Sequence, residues 1–369
     1  GSKPLMAALV CPTCTDAEEV QRISLLQPDD FHHHLRDGKP LVDTVSAAAK
    51  QFGRAIVMPN LVPPVTTLDD ARAYKERICS ALTEAGVPSG RFEPMMTLYL
   101  TETTTPEEIK RAAQSGYVKA VKLYPAGATT NSASGVTDYA KVYDAMGAMA
   151  QYGLPLCVHG EVTDPSVDIF DRERVFVKNR LPELLQQAPG LKVILEHMTT
   201  REAVEFVASA GPNVAGTITP QHLLANRNVM LAGGIKPHWY CLPILKTEDD
   251  RQALLTSIRD GCPRVFLGTD SAPHAVGKKE SACGCAGVYS AHAALELYAE
   301  AFEEAGALDK LEAFASRNGA NFYGLTPHSH RVTLERTPWC VPDVLPFGDE
   351  MIVPLYAGRT LNWKLRDGD

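Results

Sequence analysis

His32-His33-His34-Leu35-Arg36-Asp37-Gly38 follows an apolar run that begins at Ile23 and stands where a β-strand should end. Side chains alternate along a strand, so His32 and His34 share one face and His33 takes the other. Two imidazoles on one face make half a metal site. The question for the rest of the chain is what fold brings the other half to the same place.

Working outward from that first strand, 23–26 leading to His34, short β-rich runs recur at 55–58, 94–98, 120–123, 156–158, 193–195, 214–218 and 265–267. Between them lie stretches with helical spacing. In 139–152, Tyr139, Val142, Tyr143, Met146 and Met149 recur on one face, and in 201–210 Ala203, Val204 and Val207 do so. Strands alternating with helices imply parallel pairing with covering helices. An open doubly wound sheet should carry a G-x-G-x-x-G turn after an early strand, and no glycines here have that spacing. Eight strands without that turn predict a single (β/α)8 barrel over 22–330. It would be preceded by an N-terminal extension, 1–21, and followed by a C-terminal extension, 331–369, packed on the barrel.

The 369 residues are 45% hydrophobic and 22% charged, a globular balance. A net charge of −8 argues against a nucleic-acid partner, which needs a basic face. No apolar run is long enough for a membrane span. Gly1-Ser2 reads as an expression scar, so a removed targeting segment is compatible with the chain, and either a cytoplasmic or an organellar location is expected. Nine cysteines scattered over a long chain read as reduced thiols. The C-x-x-C of Cys11 and Cys14 has no second pair at zinc-finger spacing and is read as unpaired thiols, as are Cys283 and Cys285.

The chemistry lies at the C-terminal strand ends, which meet at one mouth in a barrel. His32 and His34 end the first strand, Lys122 the fourth, His159 the fifth, His197 the sixth, and Asp270 follows the eighth. Singly, His159 or His197 reads as a satisfied core histidine. Jointly, four histidines, an aspartate and a lysine at one mouth read as a metal centre. Lys122 is the odd member, since an unpaired ammonium at the end of a buried strand is costly. A deprotonated amine that adds carbon dioxide becomes a carbamate, an anionic two-oxygen ligand able to bridge two cations. Neutral imidazoles with oxygen anions suit zinc. The expected cofactor is therefore two zinc ions per chain, bridged by an N6-carboxylated Lys122 and a hydroxide, with Asp270 as general base and then general acid.

Taken in order, several motifs give a resemblance: His-x-His-Leu-Arg-Asp-Gly at 32–38, Val57-Met58-Pro59-Asn60, Val121-Lys122-Leu123-Tyr124-Pro125, Val158-His159-Gly160-Glu161, Leu195-Glu196-His197, and Gly268-Thr269-Asp270-Ser271-Ala272-Pro273-His274. With these the chain resembles the amidohydrolase superfamily, and within it the short, bacterial-type dihydroorotases, a class shared by plants and some protists. The resemblance implies that His32, His34, carboxylated Lys122 and Asp270 hold the more buried metal, and that His159, His197 and Lys122 hold the second. It implies that Arg36, Asn60 and His274 bind a substrate carboxylate, for which an arginine fork is also the natural choice. Thr129 and Thr130 would belong to a mobile lid, and Leu242 and Ala286 would meet a pyrimidine ring through their backbones.

The implied reaction is reversible cyclisation of N-carbamoyl-L-aspartate to L-dihydroorotate in pyrimidine (UMP) synthesis, carried out by a homodimer on a small-molecule substrate. Two other readings compete. A hydantoinase, dihydropyrimidinase or allantoinase would use a similar bimetal centre, but such chains place a long β-rich segment before His-x-His, and Arg36 with Asn60 asks for an acidic substrate. An inactive scaffold keeps the fold but typically loses ligands, and none is missing here.

Overall fold

Gln27 and Pro28 interrupt the run that begins at Ile23, and the chain there forms two strands where one was expected. The computed structural model describes residues 20–366, so Gly1-Ser2 and the Cys11–Cys14 pair lie outside the described residues. Strand β1 (Arg22–Leu26) pairs antiparallel with β10 (Arg331–Cys340), and β10 pairs with β13 (Thr360–Leu365). The first barrel strand is β2 (Asp29–His33). Proline supplies no N–H to a ladder, and Gln27 donates its own N–H to His330 O at 2.8 Å, so the first sheet ends there.

From β2 the order is regular: β3 (Arg54–Val57), β4 (Glu93–Tyr99), β5 (Val118–Leu123), β6 (Leu156–Val158), β7 (Val193–Leu195), β8 (Val214–Ile218) and β9 (Val265–Leu267), each pairing parallel with the next. Beyond β9, Asp270 N donates to His32 O and His34 N to Ser271 O, which draws the last strand against the first. The fold is a (β/α)8 barrel with added C-terminal strands. The small hairpin of β11 (Leu345–Phe347) and β12 (Glu350–Ile352) also belongs to the tail.

Sequence explains the helices locally. Thr67, Thr105, Thr200 and Thr247 each cap a helix by accepting an N–H from the third residue on, and Pro106 follows Thr105 at the first helical position. The expected helix at 139–152 is present as a short 3₁₀ turn, Tyr139–Val142, running into Tyr143–Tyr152. Most of the apolar core lies between strands and helices, with Val57, Leu98, Val121 and Val158 on the outward strand faces. No described helix is long and apolar enough to cross a membrane.

Inside the barrel, Phe31, Ile56, Met95, Ala120, Cys157, Ile194, Ala215 and Phe266 form one apolar layer, closed below by Ala320 and Phe322. Because side chains repeat every two residues, the positions two further on face the same interior one layer nearer the mouth. On six of the strands they are Thr97, Lys122, His159, Glu196, Thr217 and Gly268, and beyond β3 the position is Met58. Gly268 has a steric reason to lack a side chain, since a Cβ there would sit 2.8 Å from Thr217 Cβ and 3.1 Å from His32 Cβ. A register shift in the β2–β3 pairing between Asp30 and His33 lets both Phe31 and His32 reach the interior, as local disruptions of a ladder commonly do.

Candidate active site

His32, His34 and Asp270 converge at the mouth. His32 Nε2 lies 3.3 Å from His34 Nε2 and 3.2 Å from Asp270 Oδ1, and His34 Nε2 lies 2.9 Å from the same oxygen. One donor atom from each of the three falls within 4.8 Å of the others, and all three residues are buried. The rings of His159 and His197 stand edge to face at 4.7 Å between centroids, and His197 is 5.1 Å from His32. Lys122 is fully buried below them. Asp270 and His197 adopt φ of 47° and 40°, in the left-handed region that costs a non-glycine residue energy. That strain is concentrated where two donors must turn inward from strand ends.

Two of the imidazoles, His32 and His159, are oriented from behind. Glu196 Oε2 holds His32 Nδ1 at 2.9 Å and accepts from Thr217 Oγ1 at 2.6 Å, while Thr217 Oγ1 accepts the His197 N–H at 2.8 Å. Glu161 Oε1 takes His159 Nε2 at 2.7 Å, which leaves His159 Nδ1 free to coordinate. Asp30 receives His33 Nδ1 at 2.7 Å and the Thr269 hydroxyl, tying β2 to the segment that carries Asp270. His33 therefore points away from the donors, as alternation requires.

Electrostatics follow from burial. Burial pushes His34 down to about 3 and His197 well below its ordinary value, so both are neutral and have lone pairs to offer. Burial would raise the Asp270 carboxyl, but His32 and His34 beside it hold it well below the usual carboxylate range. For Lys122, burial lowers the ammonium and Glu196 opposes.

Several buried polar atoms around this mouth have no hydrogen-bond partner, among them Lys122 Nζ, His197 Nδ1 and Glu196 Oε1. Orphans of this kind are expensive unless something else satisfies them. Imidazoles, one ionised carboxylate and a lysine amine without a hydrogen-bond partner form a donor set that suits divalent metal, and the residues fit such a centre.

Around the donors, one cavity is lined by His32, His34, Asp270, His159 and His197 together with Arg36, Asn60, Tyr124, Thr129, Thr130, Leu242 and Ala286. His274 stands just behind Arg36, with Nε2 3.0 Å from both Arg36 Nη2 and Ala286 O; it accepts from the first or donates to the second according to tautomer. Burial, with Arg36 adding to it, pushes His274 down to about 2. The loop 125–135 is seated over the cavity. Thr130 Oγ1 donates to Ala286 O at 3.1 Å, and Asn60 Nδ2 to Thr130 O at 3.1 Å. With the loop in this position little free space, about 20 Å3, is left in the cavity.

Comparison with known proteins gives the family. The profile of the amidohydrolase family matches residues 30–333. A dihydroorotase of Nitrosococcus oceani is 59% identical over 348 residues, spanning 94% of this chain and 100% of that one. The crystal structure of dihydroorotase from Campylobacter jejuni superposes with a TM-score of 0.85 at 34% identity, covering 94% of this chain and 98% of that one. That of dihydroorotase from Saccharomyces cerevisiae in complex with 5-fluoroorotic acid gives the same TM-score and identity, covering 94% and 99%. The chain belongs to the amidohydrolase family, among its dihydroorotases. It is accordingly a hydrolase of the cyclic-amide class.

The structure brings together every residue singled out in the sequence for metal or substrate, with Lys122 beneath the cavity wall and His274 behind it. His222, at the seventh strand end, stands apart: Nδ1 meets Thr219 Oγ1 at 2.6 Å and Nε2 meets Pro243 O at 2.9 Å, a structural role. Sequence reading gave no role to Glu196, Glu161, Thr217, Asp30 or Tyr124. Glu196 and Thr217 carried a usable signal, since both lie two residues beyond an inward apolar position on their strands. Asp30 carried none, because its partners are set by the turn after β9.

Proposed function

We propose that the chain catalyses the reversible cyclisation of N-carbamoyl-L-aspartate to L-dihydroorotate, a step of pyrimidine synthesis, with two zinc ions per chain. The observation that carries this reading is the pairing of Arg36 Nη2 with His274 Nε2 at 3.0 Å on the rim of the cavity that the metal donors line. A neutral cyclic amide, as a hydantoinase would take, gives such a cation nothing to bind, whereas dihydroorotate carries a carboxylate.

His32, His34, Asp270 and a carboxylated Lys122 would hold one metal, and His159, His197 and the same carbamate the other. When bound, the pair supplies Lewis acidity and a water of lowered pKa. The chain's own residues do the rest. Arg36 takes the substrate carboxylate through charge-assisted hydrogen bonds, with Asn60 and His274 completing its seat. Arg36 is itself anchored, Nε to Pro273 O at 3.0 Å, so the carboxylate is held at a fixed distance from the donors. Ionised Asp270 accepts a proton as the nucleophile forms and returns it to the leaving ring nitrogen; ring closure reverses the transfer. Thr129 and Thr130, moving with the loop 125–135, exclude water once substrate is seated. The same reading includes a homodimer.

Metal-reconstituted protein should open the dihydroorotate ring, followed by loss of ultraviolet absorbance, and should contain two zinc ions per chain. No turnover with a full metal complement would sink the assignment. Turnover of hydantoin in preference to dihydroorotate would favour the hydantoinase reading.

A further inference from the structure

Lys279 ends the short helix Val276–Lys279 and is only 2% exposed, yet nothing in the proposed chemistry uses it. Its ammonium donates to three backbone carbonyls: Tyr240 O at 2.8 Å, Cys285 O at 2.7 Å and Gly287 O at 2.8 Å. That uses all three of its hydrogens. No carboxylate stands within ion-pair distance of it among the described residues, so carbonyl dipoles, with the Tyr240 ring 5.7 Å from the ammonium, face the charge. Burial pushes Lys279 down to about 8, with Cys241 and Cys285 opposing.

The three carbonyls belong to two segments that border the active-site cavity, whose lining includes Leu242, Ala286 and Gly287. Gly287 N also donates to Tyr240 O at 2.9 Å, so the segments are stitched to each other as well as to Lys279. In a trans peptide the C=O of one residue and the N–H of the next point in opposite directions. Drawing Cys285 O toward Lys279 therefore turns the Ala286 N–H away from the lysine. Among the described residues neither Ala286 N nor Leu242 N has a protein acceptor, while Cys285 N and Gly287 N, on either side of Ala286, both do. An amide left unpaired between two paired ones, on a residue that lines the cavity, is a donor held for a ligand.

We propose that Lys279 is a positioning residue for substrate: it fixes the Cys285–Ala286 peptide so that the Ala286 N–H faces the ring of the ligand, and it adds positive charge behind the seat of an anionic substrate. This rests on the dihydroorotase reading given above, and it concerns binding more than bond making. Its charge acts on the same side as Arg36 and His274, which feel it through space.

The test uses metal-loaded Lys279→Met and Lys279→Gln beside the parent enzyme, with calorimetric binding of 5-fluoroorotic acid, KM and kcat for dihydroorotate, metal content and melting temperature. The expected result is a rise of about tenfold in both the 5-fluoroorotic acid Kd and KM, kcat changed by less than about threefold, and unaltered metal content. Lys279→Gln, which keeps a donor without the charge, should fall between parent and Lys279→Met. Binding and KM within about twofold of the parent in a folded, metal-loaded variant would overturn the proposal. Failure of both variants to fold would also overturn it, by making Lys279 a residue of the fold alone. If the parent enzyme itself neither binds 5-fluoroorotic acid nor turns over dihydroorotate, the functional reading falls first, and that outcome is distinguishable from the others.

Discussion

Glu196 and His32 meet across the barrel mouth, Oε2 to Nδ1 at 2.9 Å, with both side chains essentially out of solvent. The contact fixes the ring so that Nε2 faces Asp270 and His34. A carboxylate in this position selects the histidine tautomer and raises its basicity as a ligand. For Glu196→Gln we expect a folded protein whose zinc affinity falls by roughly 10- to 100-fold, measured by competition with a chelator. An affinity equal to the parent's would mean that Glu196 does not orient His32.

Lys122 presents a different test, because its amine is buried with no hydrogen-bond partner. Lys122→Ala should abolish ring opening and weaken metal retention, and a short carboxylic acid added back should partly restore activity by filling the space with a two-oxygen anion. Full activity without Lys122 and without the added acid would exclude the bridging role.

Arg36 touches His274 and the backbone of Pro273 but none of the metal donors. Arg36→Met should therefore leave zinc content unchanged while lowering kcat/KM for dihydroorotate. A lost charged hydrogen bond costs about 1.5–3 kcal/mol, roughly 10- to 150-fold. Loss of metal in place of affinity would show that the residue supports the centre and not the substrate.

Stability at acid pH depends on Asp250, which accepts Arg174 Nη2 at 2.7 and 2.6 Å and the Thr247 hydroxyl at 2.7 Å. Burial would raise its carboxyl, but these bonds from Thr247 and Arg174 prevail and hold it below the ordinary 3.8. A carboxyl lowered in the folded state contributes stability that is fully present above its unfolded value and is lost as pH falls through the folded one. Asp250→Asn should cost about 1–3 kcal/mol at pH 7 in denaturant titrations. The difference from the parent should shrink steadily below pH 4, and a difference independent of pH would exclude ionisation as the cause.

Much of the site was legible because a barrel turns sequence position into place. Once the eight runs were read as parallel strands, His34, Lys122, His159, His197 and Asp270 had to lie near one mouth, since each falls at or just past the C-terminal end of a strand. The first strand was misjudged because hydrophobicity at 23–26 does not reveal which sheet a strand joins. Its partner, β10, lies more than 300 residues away in the chain.

The sequence by itself determined the alternation of strands and helices, the convergence of the donors, and the arginine two residues beyond His34. Those are properties of period and order, which survive without coordinates. Only the tertiary structure decided what stands behind each donor: Glu196 against His32, Glu161 against His159, Asp30 beneath Thr269, and Lys279 gripping Tyr240, Cys285 and Gly287. The physical reason is that hydrogen bonds between distant segments depend on loop paths and side-chain directions, and neither is encoded in the local pattern that makes a strand or a helix.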